Sequence, residues 1–209
     1  MLRGAMTVYT PKAFQVTDQD VLQDFIAQNS FGVLLSLDEK KIEGTHLPLL
    51  YDAETNQLIG HVARANQQWQ HANGVEVLAI FHGPHSYISS SWYEEDNTVP
   101  TWNYTAVHVY GKLEVIQEAE KIVETMDKTV AFYDPDLDLK KTVSEKSMAG
   151  LLQGIVAFQI QVTKWEGKWK LSQNHSTERQ KRVIEQLSKS SNQQDIEIAK
   201  LMKQSLTES

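Results

Sequence analysis

Residues 31–63, FGVLLSLDEKKIEGTHLPLLYDAETNQLIGHVA, hold three apolar runs separated by two polar turns. Phe31 to Leu37 reads as a buried strand, because a short apolar run bounded by turn residues suits one. Asp38-Glu39-Lys40-Lys41 turns the chain into a second run, Ile42 to Tyr51. Pro48 in that run has no N–H to give a ladder, so it marks an edge strand or a bulge. Asp52 to Asn56 is a second polar turn, and Gln57 to Ala63 returns. Three runs joined by short turns predict an antiparallel meander.

The pattern continues on both sides. Upstream, Thr17-Asp18-Gln19-Asp20 offers capping side chains for a helix to about Asn29, with Val21, Leu22, Phe25 and Ile26 on one face. Downstream, Asn66 is placed to cap a short helix carrying Trp69, and Val75 to Phe81 is a further strand. Gly83 to Tyr104 is rich in aromatic and turn residues and poor in periodicity, which predicts a long aromatic loop. Ala106 to Ile116 alternates Val107, Val109, Leu113 and Val115 as a half-buried strand. Glu118 to Tyr133 predicts an amphipathic helix with Ile122, Val123, Met126 and Val130 inward, broken by Asp134-Pro135-Asp136. Ile155 to Glu166 is a long strand, which Gly167 turns into Lys168 to Ser172. Helices over about Thr177 to Leu187 and Asp195 to Leu206 follow. At least six strands with few helices predict a mainly β (α+β) fold, a closed or nearly closed antiparallel barrel with peripheral helices.

Composition narrows the function. The 209 residues are 41% hydrophobic and 22% charged, enough for a sizeable core, and 20 Lys and Arg against 27 Asp and Glu give a net charge of −7. That balance disfavours a protein that coats nucleic acid, while a local basic patch remains open. Without cysteine there is no disulfide, thiolate nucleophile or cysteine-held metal. No apolar run approaches the ~18 residues of a membrane span. Met1 to Met6 lacks the apolar stretch of a secretory signal, so a soluble, cytoplasmic protein is expected, with Met6 an alternative start. The glycine fingerprints of dinucleotide and P-loop sites, the nucleophile elbow and the H-E-x-x-H zinc motif are all missing.

Four constellations remain. His61, Arg64 and Asn66 stand where a strand passes into a helix, a place suited to a phosphate and equally to an ordinary surface arginine beside a cap. Tyr87, Trp92, Tyr93, Trp102 and Tyr104 offer flat faces for a planar ring or a partner chain, or for the protein's own core. His82 and His85, with His46, His61 and His108, lack carboxylates at ligand spacing, so no metal site is assigned. Lys164 to Arg182 holds six basic residues against Glu166 and Glu178, a patch for an anionic ligand or a solvated face.

Taken together, several ordered segments resemble one family. They are Tyr9-Thr-Pro-Lys-Ala-Phe14, Gly44-Thr-His-Leu-Pro48, Gly60-His-Val-Ala-Arg-Ala-Asn66, Gly83-Pro-His-Ser-Tyr-Ile-Ser89, Ser91-Trp-Tyr93, Val99-Pro-Thr-Trp-Asn-Tyr104, Val107-His-Val-Tyr-Gly111 and Lys170-Leu-Ser-Gln-Asn174. The chain resembles the PaiB-type proteins, described as FMN-binding negative transcriptional regulators associated with sporulation and degradative-enzyme production. The resemblance implies a split β-barrel of the pyridoxamine-phosphate-oxidase-like kind over residues 1–175, with a helical segment, 176–209, packed on the same domain. It implies a homodimer with FMN, or a related flavin, at the subunit interface. The ring would lie along Thr45, His46, Leu47 and Pro48, and the phosphate at His61, Arg64 and Asn66. Trp102, Asn103 and Tyr104 would complete the partner's site, with Lys170 and Gln173 approaching from the last strand.

Three functions are then in competition. The first is a flavin-binding regulator with little or no turnover, for which no catalytic residue is assigned. The second is a flavin-dependent oxidoreductase of a small substrate, with His46, His85 or His108 as acid or base. The third is direct DNA repression, against which the −7 charge and the lack of a reading helix both count.

Overall fold

The computed structural model describes residues 8–39 and 41–207. The choice between Met1 and Met6 and the Lys40 position of the first turn lie outside the described residues. In chain order the elements are β1 (Gln15–Val16), α1 (Gln19–Gln28), β2 (Phe31–Asp38), β3 (Lys41–Pro48), β4 (Leu50–Asp52), β5 (Gln57–Ala63), α2 (Gln68–Ala72), β6 (Glu76–Ile88), β7 (Thr101–Val115), α3 (Ala119–Tyr133), α4 (Leu139–Thr142), α5 (Glu145–Gln153), β8 (Ile155–Lys170), α6 (Thr177–Ser188) and α7 (Gln193–Thr207). Single 3-10 turns occur at Lys12–Phe14 and Ser90–Tyr93.

The strands form one sheet in the order β3-β2-β6-β7-β8-β5-β4, with β1 added beside β8. β3 pairs with β2 and β4 with β5, all antiparallel. The expected three-strand meander is therefore cut. The run Ile42 to Tyr51 is two strands, because Pro48 ends β3 and Leu49 turns inward, its N–H donating to Ser30 O at 2.9 Å. The two ends of the strand order, β3 and β4, are thus separated by Leu49 alone. This is an α+β split β-barrel with helices at the C-terminal end, as expected.

The chain divides into two compact units. One comprises Gln23–Phe81 and His108–Trp165, and the other the chain up to Leu22, His82–Val107 and the chain from Glu166 on. The registers of β2–β3, β2–β6, β4–β5 and β5–β8 all lie in the first. Its core includes Leu34, Leu49, Leu58, Phe81, Val109 and Phe158, all nearly or fully buried. β2 is buried on one face only, since Gly32, Leu34 and Ser36 point inward while Phe31 and Leu37 are exposed. On α3 the fully buried positions are Thr125 and Thr129, and the expected Ile122, Val123, Met126 and Val130 are half-buried. The threonines can be buried because each hydroxyl donates to the carbonyl four residues back, at 2.9 and 2.8 Å.

In the other unit, Ile88, Tyr93 and Leu171 pack with Val183, Ile184 and Leu187 of α6 and Ile198 and Met202 of α7. Ser176 caps α6 by accepting from the Arg179 N–H. Asp195 anchors α7, accepting from the Ser86 and Ser190 hydroxyls at 2.6 and 2.7 Å.

Two glycine readings are corrected. The expected loop from Gly83 is strand as far as Ile88 and strand again from Thr101. β2 pairs with β6 only at Leu78–Ile80, so Pro84 forfeits no ladder bond on that side. Gly167 is no turn: it lies inside β8, where a Cβ would strike Leu22 Cδ2 and sit 2.9 Å from Val16 O. Gly111 is crowded in the same way, with Gln161 O and Ile160 Cγ2 (2.7 Å) where a Cβ would be. Gly111→Ala is expected to cost about 2–3 kcal/mol, a fall in Tm of roughly 4–12 °C for a chain of this size. A melting curve unchanged from wild type would contradict this packing.

Candidate functional site

The corner where β5 ends is built by long-range hydrogen bonds. Asn66 Nδ2 donates to Thr45 Oγ1 of β3 at 2.8 Å, and Asn66 Oδ1 accepts the Gln68 N–H at 2.9 Å. Asn66 was expected to cap the helix, but the N-cap of α2 is Gln67, which makes no side-chain cap hydrogen bond, and Asn66 instead forms an Asx turn one residue earlier. Gln68 is buried and its amide nitrogen reaches Leu34 O, Ser36 Oγ and Glu43 O at 3.0–3.2 Å, tying α2 to β2 and β3. Arg64 is exposed. Its Nε donates to Gln153 O at 2.6 Å and its Nη2 to Ile155 O at 2.7 Å, clamping the turn that enters β8. Nη1 has no protein partner among the described residues and keeps two N–H donors for a ligand.

The helix contributes little to this corner. α2 is five residues long, too short to sum a macrodipole, so an anion here depends on Arg64 and the local amides. His61, on β5, is half-buried, and burial lowers its pKa. It is neutral near pH 7, a hydrogen-bonding group rather than a counter-charge. β3 is an end of the strand order, so alternate backbone N–H and C=O groups of Thr45 to Pro48 turn away from β2. Leu47 is buried, Thr45 and Pro48 are half-buried, and His46 is exposed with its ring near Phe31.

The remaining predicted residues belong to the other unit. Along β7 the side chains alternate: Trp102 is exposed and Tyr104 half-buried, whereas Asn103 is fully buried. Asn103 Nδ2 donates to Ser172 Oγ at 3.0 Å, so Asn103 braces this unit's interior. Trp102 lies 5.6 Å from the His85 ring and 6.0 Å from Tyr87, and His82 adjoins His85 at 5.8 Å. These rings form an exposed aromatic patch. Among the described residues no cluster could hold a metal. Gln173 is spent locally, its Nε2 donating to Trp169 O at 2.6 Å and its Oε1 accepting the Leu171 N–H at 2.7 Å.

Lys170 opens onto a cavity of about 370 Å³, shared with Tyr93, Asn174, His175 and Arg179. Tyr93, His175 and Arg179 were not singled out as ligands from sequence. Tyr93 was grouped with the aromatic segment and Arg179 with the basic run, and only the fold joins them. The pKa of Lys170 is lowered by burial and then by Lys168, and that of His175 by burial and then by Arg179.

A strand order whose ends, β3 and β4, meet through Leu49 is that of a split β-barrel. Residues 8–164 match a family model described as "Putative FMN-binding domain". The chain is 38% identical over 205 residues to "Protease synthase and sporulation protein PAI 2" of Bacillus subtilis, covering 95% of this chain and 98% of that one. Among solved structures, the flavocytochrome Anf3 of Azotobacter vinelandii superposes with a TM-score of 0.62 at 10% identity, covering 75% and 69% of the two chains. The FAD and haem binding protein of Mycobacterium smegmatis gives 0.58 at 13%, covering 75% and 73%. These two likenesses speak for the fold alone.

The chain belongs to this FMN-binding family of PaiB type, and FMN is its cofactor. The residues fit that group in one respect above others: Nη1 of the exposed Arg64 is a cationic donor without a protein partner among the described residues, chemistry that suits a phosphate. Among the described residues no helix is long and apolar enough to cross a membrane.

His61 also makes stability depend on pH. Its folded pKa lies below the ordinary 6.5, so the unfolded chain takes up the proton at higher pH than the folded one. The contribution is complete above about pH 6.5 and is lost as the pH falls toward the folded value. His61→Gln is expected to flatten the fall in urea midpoint between about pH 7.5 and 5.5. His175, depressed in the same direction, leaves a residual slope. An undiminished slope would show that His61 is not desolvated.

Proposed function

We propose that this protein is a flavin-binding regulator, a homodimer whose FMN reports a cellular state to the transcription of sporulation or degradative-enzyme genes. The observation that carries this reading is the 38% identity along 95% of the chain to a protein named for protease synthesis and sporulation. The FMN phosphate sits at Arg64 and Asn66, and the edge of Thr45 to Pro48 offers backbone groups to the ring. His61 supplies a neutral hydrogen-bonding group. Trp102 and Tyr104 present aromatic faces for the partner subunit, and the exposed patch of Trp102, Tyr87 and His85 supports that assignment. When bound, FMN supplies a ring able to carry one or two electrons.

Regulation through a ligand-bound dimer suits the charge better than direct DNA reading. In the basic run, Arg179 is held by Glu95, and Arg182 by Glu94 and Glu95. Lys164 and Lys168 lie over the Tyr110 and Tyr104 rings. Little of that run is left as a stripe for phosphates. An oxidoreductase role is the competing reading, and bleaching of the flavin by a nicotinamide donor with turnover of a small substrate would replace the regulatory one.

The purified protein is expected to elute as a dimer and to bind FMN with quenching of flavin fluorescence. Arg64→Ala should weaken FMN about 10–100-fold, the worth of a charge-assisted hydrogen bond, and leave riboflavin almost unchanged. Because Arg64 also holds Gln153 and Ile155, riboflavin serves as the internal control for folding. Equal losses for both ligands would remove Arg64 as the phosphate anchor, and a protein that rejects FMN at excess would remove the flavin reading.

A further inference from the structure

Two of the residues that line the cavity beside Lys170 carry polar groups with bonding capacity left over, and a single kind of ligand would use both. Lys170 is half-buried, and its ammonium donates to Thr101 Oγ1 and Trp102 O, both at 2.5 Å. An ammonium has three donors, so one remains. No carboxylate pairs with it among the described residues, although a partly desolvated charge is costly without a counter-ion. Tyr93 lines the same cavity at 1% exposure, and its hydroxyl is buried with no hydrogen-bond partner among the described residues. Buried hydroxyls are almost always paired, so one left over beside a cavity calls for an acceptor from outside the chain.

The rest of the wall agrees. It holds His175, Arg179, Asn97 and Asn174 and no Asp or Glu. Arg179 is already neutralised by Glu95 at 2.5 Å and lies 5.3 Å from the centre of the Tyr93 ring, so it fixes the phenol and leaves Lys170 as the uncompensated charge. Burial raises the pKa of the phenol, which keeps Tyr93 a donor. Asn97 and Ser172 border the cavity with positive φ values of 58° and 68°. The whole wall lies within one compact unit.

We propose that this cavity is a binding site for a small oxyanion, a carboxylate or phosphate compound, held by Lys170 Nζ and Tyr93 Oη with Asn174 and His175 at its rim. A volume of about 370 Å³ is at the small end of ligand pockets and admits a compact anion. The cavity is lined by residues of one unit, and Thr45, Arg64 and Asn66 are not among them.

Calorimetric titration of the full chain with inorganic phosphate and, separately, with succinate tests this, at constant ionic strength against chloride. Saturable binding of at least one of the two is expected, and the one that binds assigns phosphate or carboxylate. Lys170→Met should weaken it tenfold or more. Tyr93→Phe should weaken it several-fold while keeping the anion-free Tm, since the hydroxyl it removes has no partner to lose. Absence of saturable binding by both anions would overturn the site. So would binding that survives Lys170→Met and disappears in Arg64→Ala, which would put the anion at the flavin corner. A Tyr93→Phe protein with lowered Tm and unchanged affinity would overturn it as well, since the hydroxyl would then be structural.

Discussion

The barrel depends on a close crossing of backbone over Gly60. The Pro48–Leu49 link joins the two ends of the strand order, and it passes so near β5 that a side chain beneath it would make its neighbours give way. A Cβ at Gly60 would lie 3.0 Å from Leu49 Cδ2, 3.1 Å from Pro48 O and 3.2 Å from the Phe158 ring. Leu49 is fully buried there and hydrogen-bonded to Ser30. Pro48 suits the place because it withdraws an N–H where the ladder must stop. The corner inherits its geometry from this crossing. Thr45 lies three residues before Pro48 and Asn66 six after Gly60, and their 2.8 Å hydrogen bond joins the two arms of the closure.

Where local pattern and environment agree, the fold was legible. Gln57 to Ala63 matches β5 to the residue, and α3 and α6 begin within a residue or so of their expected starts. At Gly167 the reason for the miss is plain: an amino acid read for its local meaning was answering distant neighbours. Gly167 and Gly83 looked like turns, yet both lie in strands, and Gly167 is small because Val16 and Leu22 crowd it. Thr125 and Thr129 were not among the residues expected on the inner face of α3, yet their hydroxyls are satisfied within the helix and their methyl sides can be buried. Helices α4 and α5, after the Asp134-Pro135-Asp136 break, were not foreseen. Ser144 accepting from the Ser147 N–H is the capping signal that could have revealed α5.

The candidate site was legible as a set of segments and less so as a set of contacts. Arg64, Asn66 and Thr45 were marked, and the structure binds the last two together. What each arginine does is decided by partners that sequence order hides. Arg64 meets carbonyls 89 and 91 residues away, and Arg179 meets a carboxylate 84 residues away. Strand alternation also divides neighbours that a motif presents as one unit, sending Trp102 and Tyr104 outward and Asn103 into the interior beside Ser172.

The basic run shows why a count of charges does not predict a field. Six cations within Lys164 to Arg182 read as a patch, but each acquires its own surroundings. Two arginines are compensated by Glu94 and Glu95, carboxylates that the linear sequence places far from them. Two lysines rest on aromatic faces, where ring quadrupoles stabilise them in place. Compensation of this kind converts a charged segment into fixed structure, and the electrostatics left for a ligand come from the members it misses. Lys170 is such a residue: it is half-buried, among the described residues it is bonded only to neutral oxygens, and its pKa is pushed down by desolvation with no carboxylate among them to restore it. The free energy held in that incomplete pairing is available to whatever anion completes it, which is why recognition is to be sought at this one ammonium rather than across the whole run.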